Sequence, residues 1–182
     1  MFGLFKSRIH TDIAHNLYSA ILLQARLPVF YTQYGVPDTV DGRFDMIVLH
    51  AHILFNRMKD GTEEDQDISQ AVFDLMFADM DQNLREMGVG DVGVSKRIKV
   101  MAEAFYGRAT AYADGLRQED DQILAAALKR NLYRNANSTD AQISAITAYV
   151  RQQVAQFMTQ EVAALNSGKA KFELPRIIEE KT

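Results

Sequence analysis

Apolar side chains recur every three or four residues along almost the whole chain, which is the period of an α-helix. The alternation of apolar and polar residues that marks a half-buried strand is nearly absent. Only three prolines and ten glycines interrupt the 182 residues, so long helices can run without a break. We therefore predict an all-α protein, a single-domain bundle of about six or seven helices, because this length suits one domain.

The spacing of apolar, proline and glycine residues also predicts where the helices lie. A helix from about Thr39 to Lys59 is apolar on most of its circumference, which places it at the centre of the bundle. The acidic run Asp60–Asp67 is expected to be an exposed loop. The other helices are expected at about 10–27, 29–34, 67–87, 92–117, 119–130 and 139–165. The chain thus divides into an N-terminal segment 1–14, a helical domain 15–165 and a charged, flexible tail 166–182.

The composition excludes several classes of protein. No run approaches the ~18 consecutive apolar residues of a membrane span. The absence of cysteine excludes a disulfide scaffold, a thiolate metal site and a cysteine nucleophile. A formal net charge of −4 argues against a nucleic-acid binder, and no DNA partner is expected. The segment Met1–Arg8 has its aromatic residues before its basic ones, unlike a signal peptide, so we expect a cytoplasmic location.

The sequence predicts no catalytic residue, no metal site and no cofactor. His50 and His52 are two residues apart on a helix, so their side chains point about 200° apart and cannot share a metal. Gly88–Gly93 has glycines spaced as in a dinucleotide loop, but it joins two helices and follows no strand, so we interpret it as a helix end and a turn. Four acids of the helix expected at 67–87 are interpreted as a solvated face: Asp74, Asp79, Asp81 and Glu86.

One helical turn violates a local rule. Ser95–Lys99 places three basic residues at the start of a helix, where the helix dipole favours acids. Such violations often mark function, so we expect a basic partner-binding patch here. Its members are Arg85, Lys96, Arg97, Lys99 and Arg108. An ordinary charged surface is the alternative, and the partner of a functional patch is left open between anionic lipid headgroups, ribosomal RNA and an acidic protein.

Aromatic residues suggest a second surface, a groove for an apolar partner helix. The groove residues are Pro28, Phe30, Tyr31 and Tyr34, with Phe105 and Tyr106 beyond them. The alternative is that these side chains belong to the core. The N-terminal Phe2–Arg8, with three large apolar side chains beside two basic ones, is expected to act as a weak interfacial anchor.

Four segments in order give the chain a resemblance to a known family. Gln24–Tyr31, Gly35–Phe44, Met80–Asp91 and Ala104–Arg108 resemble the ubiquinol–cytochrome c chaperone family over roughly residues 15–165. The resemblance implies an all-α fold and a bacterial, alphaproteobacterial member of a family that helps to assemble the cytochrome bc complex and binds newly made cytochrome b. The matched positions that it implies face a partner are Arg43, Arg85, Lys96, Arg97, Lys99, Tyr106 and Arg108. Contact with the ribosome is left open.

Two functions are therefore carried forward. The first is a non-enzymatic assembly chaperone, located at the inner face of the inner membrane, that holds apolar helices of cytochrome b or another membrane-protein client. In it the basic patch meets an anionic membrane surface or an acidic partner. The second is an α-helical enzyme or carrier for a hydrophobic ligand resembling a quinone or haem, whose pocket is lined by aromatic residues and methionines.

Overall fold

The computed structural model describes residues 2–134 and 136–178, and for residues 2–9 it describes the backbone only. The all-α, single-domain prediction is confirmed, and no strand occurs within these residues. The described residues form eight α-helices, two of them single short turns, with a π-helical segment Lys129–Tyr133 directly after the sixth. The helices are α1 (Phe2–Ala25), α2 (Pro28–Thr32), α3 (Val40–Met58), α4 (Glu63–Glu86), α5 (Asp91–Leu116), α6 (Gln122–Leu128), α7 (Asp140–Thr159) and α8 (Val162–Leu165).

Side-chain caps fix the start of three helices. Thr39 accepts a hydrogen bond from the backbone N–H of Gly42 at the start of α3. Thr139 and Gln142 form the capping box that opens α7, as their spacing predicts. A second capping box joins Thr62 to Asp65 at the start of α4. These caps satisfy backbone N–H groups that a helix start otherwise leaves unpaired.

The expectation that Asp60–Asp67 is a loop throughout was wrong for its second half. Helix α4 already begins at Glu63, because the capping box holds its first turn and because acids in a first turn suit the helix dipole. The Asp65 side chain is 2% exposed and also accepts a hydrogen bond of 2.5 Å from the amide of Asn166, beyond α8. An acidic run therefore supplies both a helix start and a buried tie to the end of the domain.

Helix α3 lies at the centre, as its sequence predicts. It contacts α1, α4, α5 and α7, and most of its side chains are buried. Helices α5 and α6 pack closely because Gly115 lacks a side chain: a Cβ there would lie 2.6 Å from the Cα of Leu124. The core is thus one continuous cluster organised around α3.

Residues 167–178, which we call the strap, begin with a turn at Ser167 and Gly168 after α8 and then run without helix over α7 and α1. The sequence suggests a charged, flexible tail from residue 166, yet Phe172 packs against Phe157 with ring centroids 4.7 Å apart. The charged side chains of the strap lie outward, whereas Ala170, Phe172 and Ile178 pack against the core. Residues 179–182 lie outside the described part of the chain, as do the side chains of the expected anchor Phe2–Arg8.

Candidate functional site

A concavity with a largely apolar lining, which we call the methionine groove, opens on the surface. It lies between α3, α4 and α5 near the end of α1 and has a volume of about 190 Å³. Its floor and walls come from the side chains of Phe44, Ile47, Met80, Leu84, Met87 and Met101, with Val40 at the edge.

Helical spacing places these side chains together. Met80, Leu84 and Met87 are four and three residues apart and therefore share one face of α4. Met87 is 58% exposed and Val40 is 56% exposed, so apolar surface continues out of the groove. Methionine is unbranched and adaptable, which suits it to contact with apolar surfaces of varied shape. The groove can therefore seat an apolar side chain or helix face without a fixed partner shape.

Polar residues form the rim of this groove on one side. Arg26, Arg43, Asp79 and Asn83 contribute to it, and Asp79 accepts a hydrogen bond of 2.8 Å from the hydroxyl of Tyr18. This contact, added to burial, raises the pKa of Tyr18, so the hydroxyl remains a donor. The apolar floor is thus bordered by oriented charges, as expected for a surface that seats an apolar group at a polar edge.

A second cavity of about 300 Å³ adjoins the groove and shares Arg26 and Arg43 with it. Pro28 and Tyr31 line this cavity, so two of the residues predicted to form a groove do lie at an open surface. The Tyr31 hydroxyl donates to the carbonyl of Ala25 at 2.8 Å, and burial raises its pKa to about 12. Arg43 is held at the rim by Asp38, at 2.6 Å.

The other two predicted groove residues belong to the core, which is the alternative that the sequence left open. Phe30 is 0% exposed and Tyr34 is 1% exposed. Phe30 packs edge-on against Tyr149 and His50, with ring centroids 5.1 and 5.5 Å apart. The short helix α2 has one side facing the core and one side facing the surface. Phe30 therefore packs in the core, whereas its neighbour Tyr31 lines a surface cavity.

Arg108 lies apart from the other basic residues of the expected patch, because it is buried. Its side chain, 10% exposed, lies 2.8 Å from the carboxylate of Asp45, which is 0% exposed. Arg134, which follows the π-helical segment, reaches the same carboxylate at 2.9 Å. Burial raises the pKa of Asp45 to about 6, and the two arginines oppose that shift. This triad, in which Asp45 and Arg108 are buried and Arg134 is 43% exposed, joins α3 to α5 and to the end of the π-helical segment.

Sequence reasoning missed Asp45 and Arg134. The available signal was Asp45 itself, a lone acid inside the apolar run Phe44–Leu49 of the central helix. A buried carboxylate needs a cationic partner, which could have directed attention to an arginine facing inward.

Arg85 is engaged in ion pairs and cannot act as a free cation. It contacts the carboxylates of Asp81, one turn earlier, and Asp91, at the start of α5. These contacts raise its pKa above the ordinary value. Lys96, Arg97 and Lys99 are exposed, and no ion pair joins them to another residue whose side chain the structure describes. The exposed cationic part of the expected patch is therefore this one turn of α5.

Phe105 and Tyr106 lie at another cleft, of about 270 Å³, where α5 meets the end of α3 and the first half of α4. Phe55 and Phe73 complete its aromatic lining. Phe105 is 5% exposed and packs edge-on against Phe73 with centroids 5.2 Å apart, whereas Tyr106 is 61% exposed. Tyr106 is therefore available to a partner and Phe105 supports it from below.

None of the helices formed by residues 2–134 and 136–178 combines the length and the apolar character that crossing a bilayer demands. Within the same residues, no group of three or more His, Asp or Glu side chains is arranged to hold a metal ion.

The fold is similar to that of a protein whose crystal structure has been solved. The crystal structure of the Cbp3 homolog from Brucella abortus superposes with a TM-score of 0.83 and is 37% identical in sequence. The match covers 94% of this chain and 96% of that one. At this identity and coverage, the likeness extends to the whole described domain.

Curated relatives give the same result. Ubiquinol-cytochrome-c reductase complex assembly factor 1 from Xenopus laevis is 29% identical over 141 residues, which are 78% of this chain and 70% of the relative. The mitochondrial protein CBP3 from Saccharomyces cerevisiae is 28% identical over 156 residues. The chain spans less than half of some relatives, 46% of the yeast protein and 47% of the human assembly factor.

A family model described as ubiquinol-cytochrome C chaperone matches residues 32–172, which include α3 to α8 and the residues of the methionine groove other than Arg26. The resemblance noted in the four sequence segments is thereby confirmed, and this chain belongs to the ubiquinol-cytochrome c chaperone family.

Proposed function

We propose that this protein is a non-enzymatic chaperone for assembly of the ubiquinol–cytochrome c reductase complex, and that it holds an apolar segment of cytochrome b in the methionine groove. The relatives named as assembly factors of that complex support the first part. The observation on which the second part depends is the groove itself, whose floor is apolar and whose exposed edge includes Met87.

The chemistry of the groove suits an apolar segment in transit. A chaperone must hold its client and then release it, so its surface has to bind apolar side chains without a rigid fit. Methionine side chains meet this requirement because they repack at low energetic cost. The arginines at the rim, Arg26 and Arg43, are placed to meet polar groups where an apolar segment ends.

The size of the groove favours a client over a small hydrophobic ligand. Sites for ligands of drug size usually enclose about 300–1,000 Å³. The methionine groove has about 190 Å³ and is open to one side, so it suits a few side chains of a larger partner better than a quinone or haem. Purified protein that retains an extractable quinone or haem would favour the ligand-carrier function instead.

The exposed basic turn of α5 supports peripheral contact with an anionic membrane surface. Lys96, Arg97 and Lys99 are flanked by Val92 and Val100, which are 87% and 57% exposed. Each basic residue near an anionic bilayer contributes about 1 kcal/mol, and exposed valines add apolar contact. This surface would orient the methionine groove toward a client that is leaving or entering the bilayer.

The client site is tested by genetic complementation. A strain without this gene is complemented with the wild-type chain, with Met87→Lys or with Met158→Lys. The control is matched, since Met87 and Met158 are each 58% exposed but Met158 lies on α7, away from the groove. We expect Met158→Lys to restore the cytochrome b absorbance of membranes fully and Met87→Lys to restore less than half. Equal restoration by both variants would contradict a client site in the groove, and normal cytochrome b in the deletion strain would contradict the assembly function.

The membrane contact is tested separately with vesicles. The triple variant Lys96→Glu, Arg97→Glu, Lys99→Glu and the wild-type chain are sedimented with vesicles of phosphatidylcholine, with or without phosphatidylglycerol. We expect only the wild-type chain to sediment, and only with the anionic vesicles. Equal sedimentation of the two chains would show that another surface meets the membrane.

A further inference from the structure

The strap is held mainly through its own main chain. Gln160, the residue directly after α7, accepts a hydrogen bond from the backbone N–H of Lys171 at 3.0 Å and donates one to the carbonyl of Lys171 at 2.9 Å. Gln153, which lies within α7 seven residues earlier, makes the same pair of bonds with Glu173, both at 3.0 Å. Two side-chain amides thus form hydrogen bonds with the backbone N–H and C=O of alternate residues, as the edge strand of a β-sheet does with a neighbouring strand.

Polar side chains from α1 and the region of α2 extend this recognition. The amide of Gln24 donates to the carbonyl of Glu173 at 2.7 Å. The hydroxyl of Tyr34 donates to the carbonyl of Arg176 at 3.0 Å, and Gln33 accepts from the N–H of Ile178 at 3.0 Å. We call this surface the strap groove: Gln24, Gln33, Tyr34, Gln153 and Gln160. All of these bonds go to backbone atoms, so the strap groove places little demand on sequence.

Side-chain contacts of the strap are few. Phe172 is the main anchor, packed against Phe157 at 4.7 Å and edge-on to His50 at 5.3 Å between ring centroids. Leu174 and Ile177 are 76% and 73% exposed, so they contribute little burial. A cavity of about 310 Å³ remains between the end of the strap and α7. The strap therefore fills the groove incompletely, and space remains for a larger side chain.

We propose that the strap groove is a receptor for an extended polypeptide segment, that the strap is its intramolecular occupant, and that a partner segment with an aromatic side chain in the place of Phe172 displaces it. The bound strap itself shows the chemistry of such a partner: a backbone held by hydrogen bonds from polar side chains, and one aromatic anchor. The strap groove is distinct from the methionine groove, so the two sites can fail independently.

The test uses a fluorescein-labelled peptide with the sequence of residues 167–178 and the full-length chain. The wild-type chain, whose own strap competes, is compared with Phe172→Ala, whose strap lacks its anchor. We expect Phe172→Ala to bind the peptide at least tenfold more tightly than the wild-type chain, as followed by fluorescence anisotropy. A peptide carrying alanine in place of Phe172 is expected to bind neither chain. Adding Gln153→Leu and Gln160→Leu to the Phe172→Ala chain is expected to abolish binding.

Equal binding of the peptide to the wild-type and Phe172→Ala chains would overturn the proposal. So would binding that survives loss of both glutamines. An exchange of straps between two copies, seen as a dimer of Phe172→Ala that fails to bind the peptide, would likewise overturn it.

Hydrogen exchange of the wild-type chain tests the same proposal without a substitution. A displaceable strap must open without global unfolding. We therefore expect the amides of Lys171 and Glu173 to exchange at least a hundredfold faster than the buried amides of α3. Exchange of these two amides at the rate of α3 would make the strap a permanent part of the core and would overturn the proposal.

Discussion

The methionine groove and the strap groove are lined by different residues and differ in what they contact. The methionine groove is open and apolar, and side chains such as Met80 and Met101 form its floor. The strap groove is covered, and its glutamines bind the backbone of residues 171–178. The methionine groove recognises the apolar side chains of a partner and makes little use of its backbone. The strap groove recognises an extended backbone and makes little use of side chains.

The difference shows how one small bundle can offer two kinds of binding. Helix α3 supplies Phe44 and Ile47 to the methionine groove, while His50 contacts the strap through Phe172. A helix that is apolar on most sides makes this possible, since each face packs against a different partner. The largest predicted effect therefore concerns what the two grooves share, and the smaller ones separate them.

Asp45→Ala is expected to weaken both grooves together, with the largest effect. Loss of this carboxylate leaves Arg108 buried without its partner, which typically costs about 3–5 kcal/mol of the free energy of unfolding. The control is Asp41→Ala. Asp41 also contacts Arg134, but its side chain is 73% exposed, so the substitution should change the free energy of unfolding by no more than about 0.5 kcal/mol. Urea denaturation measures both, and equal losses would show that the triad has no special role.

The second prediction concerns the dependence of stability on pH. Burial lowers the pKa of His52 to about 4, from an ordinary value of 6.5. As the pH falls through this interval, the unfolded chain binds a proton that the folded chain does not, so His52 lowers stability toward acid. We expect His52→Leu to reduce the loss of stability between about pH 7 and about pH 4 by on the order of 2–3 kcal/mol.

Urea denaturation at a series of pH values measures this difference. At neutral pH the His52→Leu variant should be at least as stable as the wild-type chain, because the buried Nε2 of His52 has no hydrogen-bond partner among the described residues. An unchanged pH profile would show that His52 does not accept the proton on unfolding. His50 and Asp45 also shift, the latter in the opposite direction, so only the comparison of the two chains isolates His52.

The sequence predicted those parts of the fold that depend on local chemistry. The capping box Thr139–Gln142, the end of α4 at Gly88 with its φ of 83° and the central position of α3 all follow from short-range pattern. Pro28 and Tyr31 line a cavity, and their role in binding a partner helix stays a prediction.

It could not locate the features that depend on distant contacts. The inward position of Arg108 depends on Asp45, 63 residues earlier by the numbering, and no local rule reveals which side of α5 faces it. The charges of the C-terminal residues predict a flexible tail. The glutamine side chains that bind this segment lie on α1, on α7 and near α2, so its own sequence does not reveal them. A charged composition therefore predicts disorder correctly only when no other part of the folded chain binds the charged segment.

Gln153→Leu is expected to affect the strap groove alone. The substitution removes both bonds to the backbone of Glu173, which are worth about 1–2 kcal/mol in total. Exchange of the strap amides should accelerate about tenfold, while the amides of α4 beside the methionine groove stay unchanged. The control is Gln152→Leu, since Gln152 contacts only the side-chain carboxylate of Glu173. Acceleration throughout the chain would show that the strap and the core open as one unit.

The smallest predicted effect belongs to a surface that is part of neither groove. Lys96 lies in the second turn of α5, where the field of the helix dipole is already weaker than in the first turn, so Lys96→Glu should raise the free energy of unfolding by no more than about 0.3 kcal/mol. Thermal denaturation at low salt measures the change, and added salt should remove it. A gain in stability joined to weaker binding of anionic vesicles would indicate that the basic turn serves the membrane contact at a cost to the helix. A loss of stability would instead give Lys96 a structural role and leave the violation of the dipole rule without a functional explanation.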